Sequence, residues 1–374
     1  MSDAARPGGG AIRAPAARPG WVRRGQRLAL KLADLRAVRA RRGFDGLRGR
    51  YYDTLWTEAA RDVGASVTAL PGGIHEIRRG ALRTFVRRSE LMLDSALAER
   101  LMADKTLTYR LFAEMGLNLP EHQDFSLSDM RPAAELLSRH PAGIVVKPAT
   151  GTGGGRGVTT GIRDTVSLGR AARYAASFNA RLLAEPQITG HNYRLLYLDG
   201  QLIDAVRRDP PMVTGDGRTD IAGLIRAENA RRKAGAPVLA LSPLIIDRDC
   251  LNTLAAAGHT PRSVPRGGER LDVKTAINEN AAPQNHHVTG EVHPDIAAQG
   301  ARIARGLGIR LAGLDLFSAD IAADPATAAP VFGEINVAPG LHHHHLTAAP
   351  PEGPATASCV LAYLLDRKEG VMTL

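Results

Sequence analysis

Apolar residues along this chain follow two spacings. In DSALAERLMADKTLTYRLFAEMG (94–116), Leu107, Leu111 and Met115 share one helical stripe, which predicts a single helix stopped by Gly116. DTVSLGRAARYAAS (164–177) and HPDIAAQGARIARGLG (293–308) also read as helices, the second opening at Pro294 and closing at Gly308. IVVKP (144–148) and RLLAEPQI (181–188) are short buried strands. NYRLLYLDGQLIDAVRR (192–208) predicts a hairpin turning at Asp199-Gly200, because an Asp-Gly pair supplies the positive φ of a tight turn. AGLDLFSADI (312–321) and PVFGEINVAP (330–339) are the last strands, and ASVTAL (65–70) and ALRTFV (81–86) are read as strands around the turn at 71–73. Strands and helices mix without strict βαβ alternation, so the expected class is α+β in layers.

The same pattern divides the chain. A basic arm occupies 1–42, a small N-terminal unit 43–93, the main body 94–345 and a tail or helix 346–374. Residues 212–290, entered through the Asp-Gly turn in TGDGRTD, look like an insertion suited to a subunit interface or a substrate pocket. Residues 1–20 are rich in Gly, Pro and Ala and are expected to be disordered. The stretch 22–42 is weakly amphipathic, with Leu28, Leu32, Leu35 and Val38 at helical spacing, and is expected to pack on the body.

Charge changes the picture once it is located. The chain carries 48 Lys and Arg against 38 Asp and Glu, but residues 1–50 alone hold 13 against 3. The body is therefore neutral and only the arm is basic, which opens 1–42 to an anionic surface, nucleic acid or lipid. Two distant cysteines give no disulfide framework and suit a reducing, cytoplasmic setting. No apolar run approaches the ~18 residues of a membrane span.

Candidate chemistry sits in three places. KPATGTGGGRGVT (147–159) is a strand ending at Lys147, followed by a glycine flap. It fits neither the Walker A loop nor the dinucleotide fingerprint, yet its backbone can approach an anion closely. Glu334 and Asn336 lie two apart on a strand and share a face, and Asp315 points away from Leu314 and Leu316. These hard oxygen donors suit Mg²⁺, with Mn²⁺ acceptable to the same set. The run His342–His345 is contiguous, so from an extended strand its rings cannot converge on one ion. It is read as a polar loop at a subdomain edge or, alternatively, as setting His342 near the incoming substrate, with a zinc role the least favoured of the three.

Lys105, VVKP, the glycine flap, AEPQITGHNYRLL, GLDLFSADI and GEINVAPG occur in the order that resembles ATP-grasp carboxylate–amine ligases. RRDPPMVTGDGRTDIAGLI (207–225) and TGEVHPDIA (289–297) are similar to the central region of the cyanophycin synthetases. The resemblance implies two α/β subdomains clasping ATP. It implies that Lys105 and Lys147 hold phosphates and that Gly153, Gly154, Gly155 and Gly157 form the closing flap. Glu185, Pro186, Gln187 and Ile188 would read adenine, and Asn192 the ribose. Arg194 and Arg208 would face the transferred phosphate as catalytic groups, beside His342, and Asp315, Glu334 and Asn336 would bind magnesium. Pro339 and Gly340 would bring backbone close to the substrate.

A carboxylate is a poor acylating agent until ATP converts it to an acyl phosphate, which an amine can displace. The expected activity is therefore ATP-dependent amide formation on small amino acids or peptides, in a protein that could form homo-oligomers. Only 34 residues follow Gly340, too few for the Mur-ligase-like domain of cyanophycin synthetase, and NENAAPQNHH (278–287) departs from that subgroup. Both point away from a polymer. The alternatives are an ATP-grasp phosphotransferase and a nucleotide-binding module without turnover. Glu334→Gln is expected to cripple turnover and His344→Ala to do little.

Overall fold

The computed structural model describes residues 35–150, 155–350, 353 and 355–373. The glycines 153 and 154, the Gly/Pro-rich residues 1–20 and the first part of the amphipathic stretch lie outside the described residues. Residues 35–42 are helical, with Leu35 exposed and Arg41 bonded to Glu279.

A helix at Asp45–Asp62 leads into β1 (Ser66–Leu70), β2 (Ile74–Arg79), β3 (Leu82–Arg87) and β4 (Glu90–Leu91), a meander of antiparallel pairs. ASVTAL and ALRTFV are strands, as expected, and the turn at 71–73 joins β1 to β2, a strand not expected from the sequence. Between them IHEIRR buries His75 and Ile77, but its charged residues hide the alternation. The expected single helix over 94–116 is two, Ala96–Met102 and Lys105–Glu114. The chain breaks at Asp104, whose carboxylate caps the second helix by accepting from the Leu107 N–H.

The second layer is an antiparallel sheet of β5 (Gln123–Phe125), β6 (Ile144–Pro148), β7 (Thr159–Ile162) and β8 (Leu182–Pro186), in the order β5-β8-β6-β7. Helices Arg131–Arg139 and Thr165–Ala175 pack on it through Leu136, Leu168, Ile144, Ile162 and Leu182. Because side chains alternate along a strand, burying Ile144 and Val146 on that side turns Lys147 the other way, as burying Leu182 and Ala184 does Glu185.

The central sheet begins with the hairpin of β9 (His191–Leu198) and β10 (Gln201–Arg208), turning as expected at Asp199 and Gly200, both at positive φ. β11 (Met212–Thr214) and β12 (Arg270–Asp272) pair with each other. Beside them, helices Ile221–Ala234 and Arg248–Ala256 enclose a separate core of Ile221, Ile225, Leu244 and Leu254. β13 (Asn285–His287), β14 (Leu311–Ser318) and β15 (Val331–Val337) complete the sheet in the order β13-β10-β9-β14-β15, all antiparallel. Tyr193, Leu195, Tyr197, Leu314, Leu316 and Ile335 pack on the helix Pro294–Gly306. The intervening residues face the opposite way. A last helix, Thr356–Arg367, shares a core with Asp45–Asp62 through Leu55, Trp56, Leu361 and Leu364, and β16 (Met372–Thr373) pairs with β3.

The α+β expectation therefore stands, with every sheet antiparallel. Among the described residues no helix is long and apolar enough to cross a membrane.

Candidate active site

The polar face of the central sheet carries the chemistry, and strand register builds it. Arg194 on β9 is the partner of Asp315 on β14, and Asp315 is in turn the partner of Glu334 on β15. One row across three strands thus reads cation, carboxylate, carboxylate. One step along, Arg208 on β10 pairs with Asn192 on β9. Arg208 Nε and Nη2 both donate to Asn192 Oδ1, at 2.9 and 2.6 Å, and Nη2 also reaches Asp315 Oδ1 at 2.8 Å. Arg194 Nε donates to the same oxygen at 2.5 Å.

Both arginines are buried, as is Asp315. Burial lowers the guanidinium of Arg208 to about 10, held up by Asp315 and lowered further by Arg194. It still carries its charge at neutral pH, and one carboxylate shares two cations. The Asn192 side chain, expected at the ribose, is here the acceptor that aligns Arg208.

The second sheet supplies the opposing wall. Lys147 Nζ lies 2.6 Å from Glu185 Oε1 and 3.3 Å from the Tyr109 hydroxyl, which donates to Glu185 Oε2 at 2.9 Å. Burial pushes the Tyr109 phenol well up, with the charge of Glu185 adding to it, so it remains a donor. Lys105, in the first turn of the helix Lys105–Glu114, reaches across to Glu334 Oε2 at 2.8 Å. The Lys105 charge is the largest influence holding the Glu334 carboxyl well below its usual range, opposed by burial and helped by Lys147 and Arg194. Glu334 in turn raises the ammonium of Lys105. Lys147 and Arg194 both act on Glu334, and Glu185 and Asp315 both act on Lys105, so the two walls lie within electrostatic reach of each other.

Gln187 ties the segment after β8 to β7, its side-chain oxygen accepting from the Gly161 N–H at 2.8 Å and its own N–H donating to Gly143 O at 3.0 Å. Glu185–Ile188 thus span the end of β8 and the short segment that leads to β9. At the near end of the flap, Gly155 and Gly157 have φ of +65° and +81°. A Cβ on Gly157 would sit 2.8 Å from both Phe178 and Pro148, so glycine is required for sterics as well as conformation.

Asp315, Glu334 and Asn336 occupy neighbouring rungs of one face, and their oxygens are the hard donors Mg²⁺ takes. Asn336 Nδ2 lies 3.4 Å from both Glu334 Oε1 and Gly313 O, close enough for its amide to join the two carboxylates. Among the described residues no group of three or more His, Cys, Asp and Glu is placed to hold a metal. A three-donor protein site here therefore needs the asparagine.

The histidine run departs from its expected form. Leu341–His344 is a 3₁₀ turn; His344 is buried, while His342, His343 and His345 are half-buried. His342 Nδ1 is 2.9 Å from the Tyr52 hydroxyl, His344 Nδ1 is 2.6 Å from Asp204 Oδ2, and His345 Nε2 is 2.9 Å from Thr356 Oγ1. The rings point to three different partners, which agrees with the expectation against a shared metal ion. His344 is 1% exposed and fills a core position on the buried carboxylate of Asp204. Burial drives these imidazoles down, His342 to about 3 and His345 to about 4, so they are neutral.

Tyr109 and Asp204 were not singled out from the sequence. Tyr109 lies one helical turn after Lys105, a spacing that could have drawn attention to it. Asp204 gave no signal, because its partners His344, His287 and Thr289 lie 83 to 140 residues away.

No family model matches the chain. It is 30% identical over 259 residues to the cyanophycin synthetase of Trichormus variabilis, covering 69% of this chain and 28% of that protein. It is 25% identical over 232 residues to the glutathione biosynthesis bifunctional protein GshAB of Mannheimia succiniciproducens, covering 61% and 30%. The chain thus spans less than a third of the length of either relative. Among solved structures, the bifunctional glutathione synthetase from Pasteurella multocida superposes with a TM-score of 0.51 at 20% identity, over 81% of this chain and 42% of that one. The protein is thus an ATP-grasp protein by fold, and by sequence it resembles cyanophycin synthetase.

Proposed function

We propose that the chain catalyses ATP-dependent amide formation between a carboxylate and an amine through an acyl phosphate. The observation that carries this reading is the row Arg194–Asp315–Glu334, faced across one cleft by Lys105 and Lys147. Four cations and three carboxylates in a shared cleft suit a triphosphate with its counter-ion. Phosphoryl transfer needs positioning and neutralised charge more than covalent help.

Lys105 and Lys147 hold the phosphates, releasing Glu334 and Glu185 as they do so. Asp315, Glu334 and Asn336 are the residues that would hold Mg²⁺, which when bound spreads the charge building up on the phosphates; Mn²⁺ fits the same oxygens. Arg194 and Arg208 face the transferred group, pre-aligned by Asp315 and Asn192. The hinge at Glu185–Ile188 accommodates the base, and the flap, of which Gly155 and Gly157 are described, closes to keep water from the acyl phosphate. The substrates are small amino acids or peptides, and the catalytic body is 94–345 with 212–290 as its insertion. Cys250 is a buried free thiol, which suits a cytoplasmic setting.

The test is a trap. The chain is incubated with ATP, Mg²⁺, a panel of amino acids and dipeptides, and hydroxylamine. ADP release with formation of an acyl hydroxamate is the expected result. A stable phospho-alcohol would make it a phosphotransferase, and nucleotide binding without ADP release would leave a binding module.

A further inference from the structure

The small N-terminal unit supplies none of the residues placed at the phosphates or the metal, yet one chain of hydrogen bonds joins it to the segment after β15. The Leu341 N–H donates to Ser89 Oγ at 3.1 Å, Ser89 Oγ lies 2.9 Å from the Tyr52 hydroxyl, and that hydroxyl lies 2.9 Å from His342 Nδ1. Ser89, in the turn between β3 and β4, and Tyr52, on the helix Asp45–Asp62, are both buried.

The segment held in this way borders the phosphate-facing residues. β15, the strand of Glu334 and Asn336, ends at Val337, and the chain turns at Ala338 with a φ of +55°, unusual for a residue with a side chain. Such a conformation persists only where its surroundings fix it. Pro339 and Arg194 both crowd Gly313: a Cβ placed there would meet Pro339 at 2.6 Å and Arg194 Nη1 at 3.0 Å.

The protons of the chain run one way. Ser89 Oγ already accepts from Leu341, and Tyr52 is its other partner among the described residues. A buried hydroxyl proton is seldom left unused, so Ser89 donates to Tyr52 and Tyr52 donates to His342 Nδ1. The imidazole is neutral, lowered by burial and by Arg48 and Arg194. Its one proton therefore sits on Nε2, which has no partner among the described residues.

We infer that Tyr52 and Ser89 are positioning residues of the active site, fixing His342 as the Nε2–H tautomer so that it donates a hydrogen bond to an oxygen of the carboxylate substrate. The inference rests on the ligase reading and gives residues 43–93 a part in it. A carboxylate and the acyl phosphate it becomes are both acceptors, and a fixed N–H within reach of Arg194 suits both. With Nδ1 engaged and Nε2 protonated, His342 has no lone pair free to take a proton from the amine.

The experiment uses the full chain with MgATP and the carboxylate that gives hydroxamate. Tyr52→Phe and Ser89→Ala should each lower kcat/KM for the carboxylate about tenfold, with KM for ATP within twofold of the parent's. Ser89→Thr, which keeps the hydroxyl, should restore most of the loss. Nitrogen NMR of the ¹⁵N-histidine-labelled chain, with His342 assigned by its loss in His342→Gln, should show a protonated Nε2 and a bare Nδ1. Tyr52→Phe should mix the two tautomers. Unchanged carboxylate kinetics in both variants, an equal rise in KM for ATP, or a proton on Nδ1 in the parent overturns the inference, while hydroxamate formation keeps the ligase reading intact. If no carboxylate gives hydroxamate, the ligase reading fails and the substrate role fails with it, and the NMR measurement still decides whether Tyr52 and Ser89 hold His342.

Discussion

Asp315 and Glu334 stand opposite each other on neighbouring antiparallel strands, yet different parts of the chain supply the cations that hold them. Asp315 takes Arg194 and Arg208 from its own sheet, and Glu334 takes Lys105 from a helix 229 residues earlier. Facing carboxylates would repel each other if left bare. Here each carries a counter-charge that a metal ion and phosphates can exchange for, so the ligand-free cleft is already close to neutral.

Replacing Glu334 with Gln removes the carboxylate shared by Lys105 and the proposed metal. Turnover should fall by about 10²-fold or more, with a higher Mg²⁺ concentration at half-maximal rate. The check is phosphate release against Mg²⁺. Near-normal turnover would remove Glu334 from the metal site.

Lys147→Met deletes a charge-assisted contact to the nucleotide and leaves Glu185 with Tyr109 alone. KM for ATP should rise about tenfold or more. Nucleotide titration by calorimetry measures it directly, and an unchanged affinity would mean the lysine serves only Glu185.

Gly157→Ala would force a side chain into φ +81° against Phe178 and Pro148. The near end of the flap cannot then seat. We expect a loss of about 1–3 kcal/mol in stability, or an equivalent rise in KM for ATP, seen by thermal melting and steady-state kinetics. Parent-like values in both would show that the flap re-forms another way.

His344→Ala should cost about 2–4 kcal/mol in stability, because Asp204 would keep its buried charge and lose a partner. Burial alone would raise Asp204, but the hydrogen bond from His344 and that from Thr289 bring it down to about 2. Urea denaturation at pH 7 measures the cost, and a change below 0.5 kcal/mol would contradict the buried contact.

Acid should weaken the fold earlier than carboxylates alone would require. His342 and His345 are lowered by burial from 6.5 to about 3 and about 4, so between those values the unfolded chain binds more protons than the folded one. Stability is then full above about pH 6.5 and declines as pH falls toward 4. The urea midpoint should drop between pH 7 and pH 5, whereas a flat profile would mean these imidazoles titrate normally.

Much of the cleft was legible because strands show one residue in two to each side. Leu314 and Leu316 flanking Asp315, and Glu334 paired by parity with Asn336, put the acids on one face before any coordinates. The hairpin at Asp199-Gly200 was legible for the same local reason. What stayed hidden depends on distance in the chain. The break at Asp104 looks like an ordinary helical residue until its carboxylate caps the next turn. β2 carries so many charges that its buried His75 and Ile77 do not stand out. The partners of the histidines, Tyr52, Asp204 and Thr356, stayed hidden too, because no local pattern connects them.

The small N-terminal sheet takes its last strand, β16, from residues 372–373, and its helix Asp45–Asp62 leans on Thr356–Arg367. Synthesis runs from the other end, so Trp56 and Leu55 emerge some 300 residues before the side chains that cover them. During translation this unit must wait with an uncovered apolar flank, a natural point for a chaperone to engage the nascent protein.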